Sequence, residues 1–167
     1  MDIVSHGLWG SLLFGQKTRK CFWLAFFFGI APDLFSFGIF MVAVFLGLVS
    51  HPDWSTGQHP ASDQIPSYVN IFYNFTHSLT IFAVVFCFVW LIRQKPVYEM
   101  LAWGVHILVD IPTHSYIFFP TPFLWPLSDF RVNGIPWGHP IIFIPNVVLL
   151  VTLYYWFFVR PRMKKTD

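Results

Sequence analysis

Charged residues are scarce in this sequence, and their scarcity excludes several common classes of protein. Lys, Arg, Asp and Glu make up 11% of the 167 residues, against about 25% in soluble domains. The net charge of +2 is too small to indicate a nucleic-acid partner. Hydrophobic residues reach 56% of the chain, which is more apolar surface than a domain of this size can bury. The composition therefore predicts an all-α integral membrane protein whose surface is largely covered by lipid.

Cysteine is also rare, since the chain has only Cys21 and Cys87. Two cysteines in separate apolar runs do not form a disulfide framework, and nothing has the CxxC spacing of a metal site. The first residues, Met-Asp-Ile-Val-Ser-His, lack the basic region and the small-residue site of a cleavable signal peptide. We therefore expect free thiols and a first span that directs insertion itself.

Four long apolar runs predict four transmembrane helices, because a helix needs about 20 apolar residues to cross a bilayer. The runs cover residues 22–49, 71–92, 97–119 and 140–159. The segment Ile3–Gly15 is apolar but too short to span, and it predicts a half-membrane or interfacial helix. Together these elements predict a single membrane domain over residues 1–167.

The basic residues predict the orientation of these spans. Every Lys and Arg except Arg131 precedes the first run, lies between the second and third, or follows the fourth. The positive-inside rule makes that face cytoplasmic. Both termini are therefore predicted inside, and the loops 50–70 and 120–139, rich in Pro, Gly and Ser, are predicted to be irregular and outside. The expected location is the cell (inner) membrane, with several crossings.

Ionisable residues within the apolar segments are the strongest functional signal. Such residues cost several kcal/mol at bilayer depth, so they are rare there and tend to be functional. All six belong to types that bind metal ions: His6, Asp33, His77, His106, Asp110 and His114. His106 and Asp110 are the strongest pair, because a spacing of four places both on one helix face.

Helix rise places five of these side chains at similar depth. Counted at about 1.5 Å per residue from the basic boundary, all except His114 lie about 16–24 Å into the bilayer. This convergence of four segments predicts an intramembrane metal site. Pro32 predicts a break that leaves Asp33 at the start of a new helical segment. Pro112 and greater height place His114 nearer the outer surface, as a ligand or an outer-shell group.

Five short motifs, taken in order, resemble the prokaryotic membrane-bound metal-dependent hydrolases, a family of inner-membrane proteins. They are Ser5-His6-Gly7, Ala31-Pro32-Asp33, Thr76-His77-Ser78, His106-x-x-x-Asp110 and Pro122-Phe-Leu-Trp-Pro126-Leu-Ser128. The family is distantly similar to zinc-dependent phospholipase C, in which a His-x-x-x-Asp helix helps to hold a metal cluster. The resemblance implies a metal-ligand set consisting of His6, Asp33, His77, His106 and Asp110. Family members often carry a second acidic residue where this chain has Phe35 and Ser36, so one or two ions are expected.

These residue types predict metal-dependent hydrolysis. Mixed His and Asp ligands suit Zn²⁺ best and also accept Mn²⁺ or Fe²⁺. Asp110 or Asp33 would act as the general base, and His114 would protonate the leaving group. A site in the outer half of the membrane favours a phospholipid or lipid-linked phosphoester as substrate.

Two other functions fit the same residues. One is a metal-ion or proton transporter or channel, because intramembrane Asp and His residues also form ion paths. The other is a non-catalytic membrane protein with a structural metal. The oligomeric state stays open.

Overall fold

A computed structural model describes residues 1–52 and 64–163, and its helices account for most of them. In chain order they are α1 Ile3–Phe14, α2 Arg19–Asp33, α3 Ile39–Phe45, α4 Ser67–Thr76, α5 Leu79–Arg93, α6 Leu101–Thr113, α7 Pro140–Tyr154 and α8 Arg160–Met163. Extended pairing within the described ranges is limited to one bridge, between Ser115 and Phe118. The predicted all-α fold is confirmed for these residues, whereas most of the predicted loop 50–70 lies outside them.

Shorter helical turns adjoin several of these helices. A π-helical turn, Leu34–Gly38, joins α2 to α3, and a second, Tyr155–Val159, joins α7 to α8. A 3₁₀ turn, Tyr98–Met100, leads into α6. Cys21 and Cys87 are both free thiols, as predicted.

Two continuous helices are long and apolar enough to cross a membrane. They are Arg19–Phe45, which has 27 residues, and Pro140–Val159, which has 20. Helices α4 and α5 pass the same test as a pair, although a bend of 58° separates them. These two or three candidate spans support membrane association, and they correspond to three of the four predicted runs.

The remaining predicted run, 97–119, is helical from Tyr98 to Thr113 and irregular after that. Helix α6 has 13 residues, which corresponds to about 20 Å and is less than the thickness of a bilayer core. Pro112 lies in its last turn, and the chain leaves the helix after Thr113 to form a turn. Proline has no N–H to continue the hydrogen-bond ladder, which favours an ending here. Helix α6 is therefore closer in length to α1 than to a full span.

Glycines allow α1, α2 and α6 to pack closely. A Cβ atom at Gly10 would lie 2.7 Å from the carbonyl oxygen of Ala25 and 2.8 Å from the Cβ of Ala102. A Cβ atom at Gly29 would lie 2.5 Å from the carbonyl oxygen of His6. Small residues let helix backbones approach in membranes, where packing rather than the hydrophobic effect holds helices together. The backbone of His6, the first predicted ligand, therefore packs directly against α2.

Candidate metal centre

Helix α6 supplies two of the predicted ligands from one face. His106 and Asp110 are one turn apart, and the Nε2 atom of His106 lies 3.2 Å from Oδ2 of Asp110. Both side chains are buried. A buried carboxylate needs compensating charge or hydrogen bonds, so its surroundings decide what the pair can do.

A break between two helices brings in His77. Helix α4 ends at Thr76 and α5 begins at Leu79, and His77 lies in the break, where its ring stacks on Tyr73 at 3.8 Å between centroids. Its Nε2 atom lies 3.1 Å from Nε2 of His106 and 3.7 Å from Oδ2 of Asp110. A straight span through residues 71–92 would not have turned the chain here, so the bend positions the ligand.

Asp33 is the last residue of α2 and reaches the same point from a third direction. Its Oδ1 atom lies 3.4 Å from Nε2 of His77 and 3.8 Å from Nε2 of His106. The expected new helix start at Asp33 is wrong, because Pro32 lies inside α2 and the chain continues into the π-helical turn Leu34–Gly38. The wider π turn keeps the segment helical beyond the proline, and such turns are frequent at functional sites.

His6 approaches the His106–Asp110 pair from α1. Its Nε2 atom lies 2.9 Å from Oδ1 of Asp110, and its ring stacks on that of His106 at 3.6 Å between centroids. The nitrogen of Met1 lies 2.5 Å from the same Oδ1 atom. Asp110 therefore stands at the centre of the cluster, with one oxygen toward α1 and the other toward α6 and His77.

Backbone carbonyls determine which nitrogen of each central histidine is free. Nδ1 of His106 lies 2.7 Å from the carbonyl oxygen of Gly29. Nδ1 of His77 lies 3.2 Å from the carbonyl oxygen of Tyr73 and 2.9 Å from Oγ1 of Thr76. The Thr76 hydroxyl donates to the carbonyl of Phe72 and so can accept from the ring. A carbonyl only accepts hydrogen bonds, so each Nδ1 is the protonated donor, and each Nε2 of a neutral ring carries a lone pair. The two lone pairs then face each other across 3.1 Å.

Two further atoms at the centre have no hydrogen-bond partner among the residues that the structure describes. They are Nε2 of His6 and Oδ2 of Asp110, both fully buried. The short distance from Nε2 of His6 to Oδ1 of Asp110 brings the groups together without hydrogen-bond geometry. Buried polar atoms are almost always satisfied, so unpartnered atoms beside converging imidazole lone pairs match what a cation would satisfy.

Two overlapping groups of side chains can hold a metal ion. One is His77, His106 and Asp110, and the other is His6, Asp33 and His106; in each group the ligand atoms lie within 4.8 Å of one another. Catalytic metal sites commonly use three protein ligands and keep a further position open. The residues present therefore fit a metal ion, and the shared His106 lies between both groups.

The site is most accessible at Asp33. The Asp33 side chain is 19% exposed, whereas those of His77 and Asp110 are almost completely buried. His114 is 14% exposed, and its Nδ1 atom lies 3.4 Å from Oδ1 of Asp110. It belongs to neither metal-binding group, and its contact with Asp110 places it at the edge of the centre.

The main contribution that the sequence analysis missed comes from backbone atoms. The carbonyl groups of Gly29 and Tyr73 orient the two central imidazoles, and partners of this kind fix the tautomer of metal-binding histidines. Carbonyl groups are common to all residues and leave no pattern in a sequence. The glycine at position 29 is the one feature of the sequence that could have indicated this close backbone contact.

Comparisons with family models, curated proteins and solved structures found no match to this chain.

Proposed function

We propose that this protein is a membrane-embedded metal-dependent hydrolase that cleaves a phospholipid or a lipid-linked phosphoester. One observation carries the proposal: the Nε2 atoms of His77 and His106 lie 3.1 Å apart beside the unpartnered Oδ2 atom of Asp110. The nitrogen and oxygen ligands suit Zn²⁺ best and also accept Mn²⁺ or Fe²⁺. The two overlapping ligand groups provide for one or two ions. The motif resemblance described above supports the same class of enzyme.

The side chains at the accessible edge supply the proton transfers of this reaction. A bound ion would polarise the phosphoryl oxygen and activate a water molecule. Asp33, partly exposed, would accept the proton of the attacking water, whereas the buried Asp110 serves better as a ligand. His114, when protonated, would donate a proton to the leaving alkoxide as its bond to phosphorus breaks.

The surroundings of the centre support a lipid substrate. Helices α3, α5 and α7, which flank the elements that carry the ligands, expose apolar side chains, as lipid-facing helices do. An apolar cleft of about 350 Å³, lined by Trp9, Val105 and Val109 among others, lies between α1, α6 and α7. Val105 and Val109 directly precede the ligands His106 and Asp110, so an acyl chain in this cleft would lie close to the centre.

The proposed topology has four crossings of the cell membrane, with the basic face and both termini in the cytoplasm. Three crossings would be α2 with α3, α4 with α5, and α7 with the turn that follows it. The fourth would be α6 with its adjoining turns, buried against α1 and α2. Non-helical backbone is tolerated at membrane depth where protein surrounds it.

The first experiment is metal analysis of the purified protein in lipid nanodiscs. We expect a stoichiometric metal that is lost in His106→Ala. The matched control is His51→Ala, because His51 is exposed and its ring contacts the carbonyl of its neighbour Pro52. This variant should keep the metal. A wild-type protein without metal would overturn the proposal.

The second experiment separates an enzyme from a protein with a structural metal. Turnover of phospholipid and lipid-linked phosphoesters is measured with and without chelator, and with Asp33→Asn. We expect turnover that chelation abolishes and metal restores, and a loss of turnover in Asp33→Asn that exceeds its loss of metal. Bound metal without turnover on any of these substrates would favour a structural role.

Transport is the second candidate, and the irregular helices favour it. Asp33 adjoins a π-helical turn and His77 lies in a helix break, and interrupted helices form ion sites in transporters. Flux of Zn²⁺ or protons into liposomes is the test. Flux that persists without hydrolysis, and that disappears in His106→Ala, would replace the hydrolase proposal.

A further inference from the structure

Helix α7 carries one buried amide among apolar residues that largely face outward. Asn146 is buried, whereas most of its neighbours on α7 are exposed. Both ends of its amide are used: Trp9 Nε1 donates to Asn146 Oδ1 at 2.8 Å, and Asn146 Nδ2 donates to Ser5 Oγ at 2.9 Å. Both partners belong to α1, so this residue ties α7 to the first helix.

The contact continues into the first turn of α1. Ser5 Oγ donates to Asp2 Oδ2 at 2.6 Å, and the Ser5 N–H donates to Asp2 Oδ1 at 2.9 Å. Asp2 is the N-cap of α1. The amide of Asn146, the hydroxyl of Ser5 and the cap carboxylate therefore form one connected network at the start of the helix.

This network adjoins a predicted ligand. His6 follows Ser5, and its Nε2 atom lies 2.9 Å from Oδ1 of Asp110. Helix α7 contributes no residue to either metal-binding group in the described part of the chain. Its amide is therefore placed to affect the centre through its hydrogen bonds to α1.

We propose that Asn146 is a positioning residue that holds His6 at the metal centre through Ser5 and Trp9. The inference rests on the proposed metal site. Without the amide, the hydroxyl of Ser5 and the indole N–H of Trp9 would lose partners in apolar surroundings, where unpaired polar groups are unfavourable. The first turn of α1 would then shift to satisfy them, and ligands tolerate displacements of only about 0.5 Å.

Co²⁺ binding to the full-length protein in nanodiscs tests the inference. The affinity is measured for the wild type, Asn146→Leu, His6→Ala and the double variant. We expect Asn146→Leu to weaken binding by about 10–100-fold, as loss of a partner that orients a ligand does. The double variant should bind as His6→Ala alone does, because the amide acts through His6, and its Co²⁺ absorption spectrum should match that variant.

Three further variants separate positioning from a general loss of structure. Thr152 lies on the same helix, is exposed and bonds only to the carbonyl of Val148, so Thr152→Val should leave affinity unchanged. Ser5→Ala removes the same link from the α1 side and should weaken Co²⁺ binding as Asn146→Leu does. If Asn146→Leu does not fold, Ser5→Ala takes its place in the test. Trp9→Phe keeps the link to Ser5 and should weaken binding less.

The outcomes distinguish this inference from the proposed function. A wild type that binds no Co²⁺ would overturn both. Tight wild-type binding that Asn146→Leu and Ser5→Ala leave unchanged would overturn the inference alone. An effect of Asn146→Leu that adds in full to that of His6→Ala would also overturn it, because additive effects indicate independent sites.

Discussion

The Nε2 atoms of His77 and His106 distinguish this cluster from ordinary buried histidines. A structural core histidine uses both ring nitrogens in hydrogen bonds. In His77 and His106, only Nδ1 has a carbonyl acceptor, and the two Nε2 atoms face each other. Because neither neutral ring can donate through Nε2, a shared cation satisfies both at once. The same logic assigns His114 a different role, since its ring contacts Asp110 without entering either metal-binding group.

His114→Gln tests the assignment of the proton donor. A general acid matters when the leaving group is a poor one, so we expect turnover of an alkyl phosphoester to fall by about 10²–10⁴-fold. Turnover of a nitrophenyl ester, whose leaving group needs no proton, should fall much less. Steady-state kinetics on both substrates provide the measurement, with metal content as the control. Equal losses on both esters would show that His114 does not supply this proton.

The helix break at His77 depends on contacts from other elements. The indole N–H of Trp103 on α6 donates to the carbonyl oxygen of Thr76 at 2.6 Å. The backbone N–H of Leu79 donates to the carbonyl oxygen of Phe123 at 2.9 Å. The hydroxyl of Ser78 caps α5 and also donates to the carbonyl oxygen of Trp125. These bonds replace the helical ones that the bend removes, so the position of His77 is set from outside its own helices.

Trp103→Phe removes the hydrogen bond from the indole N–H to the carbonyl of Thr76. It keeps an aromatic ring next to Phe82, which the indole contacts edge-to-face in the wild type. We expect metal affinity to fall by about tenfold and the free energy of unfolding to fall by about 1 kcal/mol. Faster hydrogen exchange at residues 76–79 would locate the change. Trp90 is 48% exposed on α5, so Trp90→Phe is the matched control. A similar loss of affinity in that control would refute a specific role for Trp103.

The end of α6 is held by the loop that follows it. The N–H groups of Gly134 and Ile135 donate to the carbonyl oxygens of His114 and Pro112 at 2.7 and 2.9 Å. These bonds satisfy carbonyls that the helix end leaves free. The loop therefore positions His114, although it contributes no ligand itself.

Gly134→Ala should disturb this contact. Its new Cβ atom would lie 2.2 Å from the carbonyl oxygen of Pro112, which is too close for the backbone to remain in place. We expect the free energy of unfolding to fall by about 1–3 kcal/mol, and turnover to fall while metal is retained. Gly138→Ala is the control because its Cβ would meet nothing within 4 Å. Thermal unfolding compares the two, and equal stability would contradict the proposed packing.

The long apolar helices of this protein could be predicted from the sequence, whereas the helix break at His77 could not. Apolar runs predicted the helices through residues 19–45 and 140–159, because length and composition suffice for lipid-facing segments. The depth of the polar residues predicted that Asp33, His77 and Asp110 converge, since helix rise is constant. The break at His77 could not be predicted, because neither glycine nor proline marks it. Its causes lie in contacts with α6 and with the loop near Phe123 and Trp125, which are distant in sequence.

At the scale of the whole molecule, the number of crossings decides on which side the C-terminal end lies. The two continuous candidate spans and the bent pair, counted as one span, would make three crossings, and these would place the segments before α2 and after α7 on opposite faces. A fourth crossing through α6 would place them on the same face. The positive-inside rule favours four, because basic residues flank both ends.

Cysteine labelling in intact cells distinguishes these topologies. Cys21 and Cys87 are first replaced by Ala, and single cysteines are then introduced at three exposed positions, Gln16, Asp129 and Pro161. With four crossings, a membrane-impermeant thiol reagent should label Asp129→Cys from outside. Gln16→Cys and Pro161→Cys should react only after the cells are permeabilised. Labelling of Pro161→Cys in intact cells, with Gln16→Cys protected, would instead establish an odd number of crossings. Helix α6 would then be a half-membrane element that returns to the face it came from.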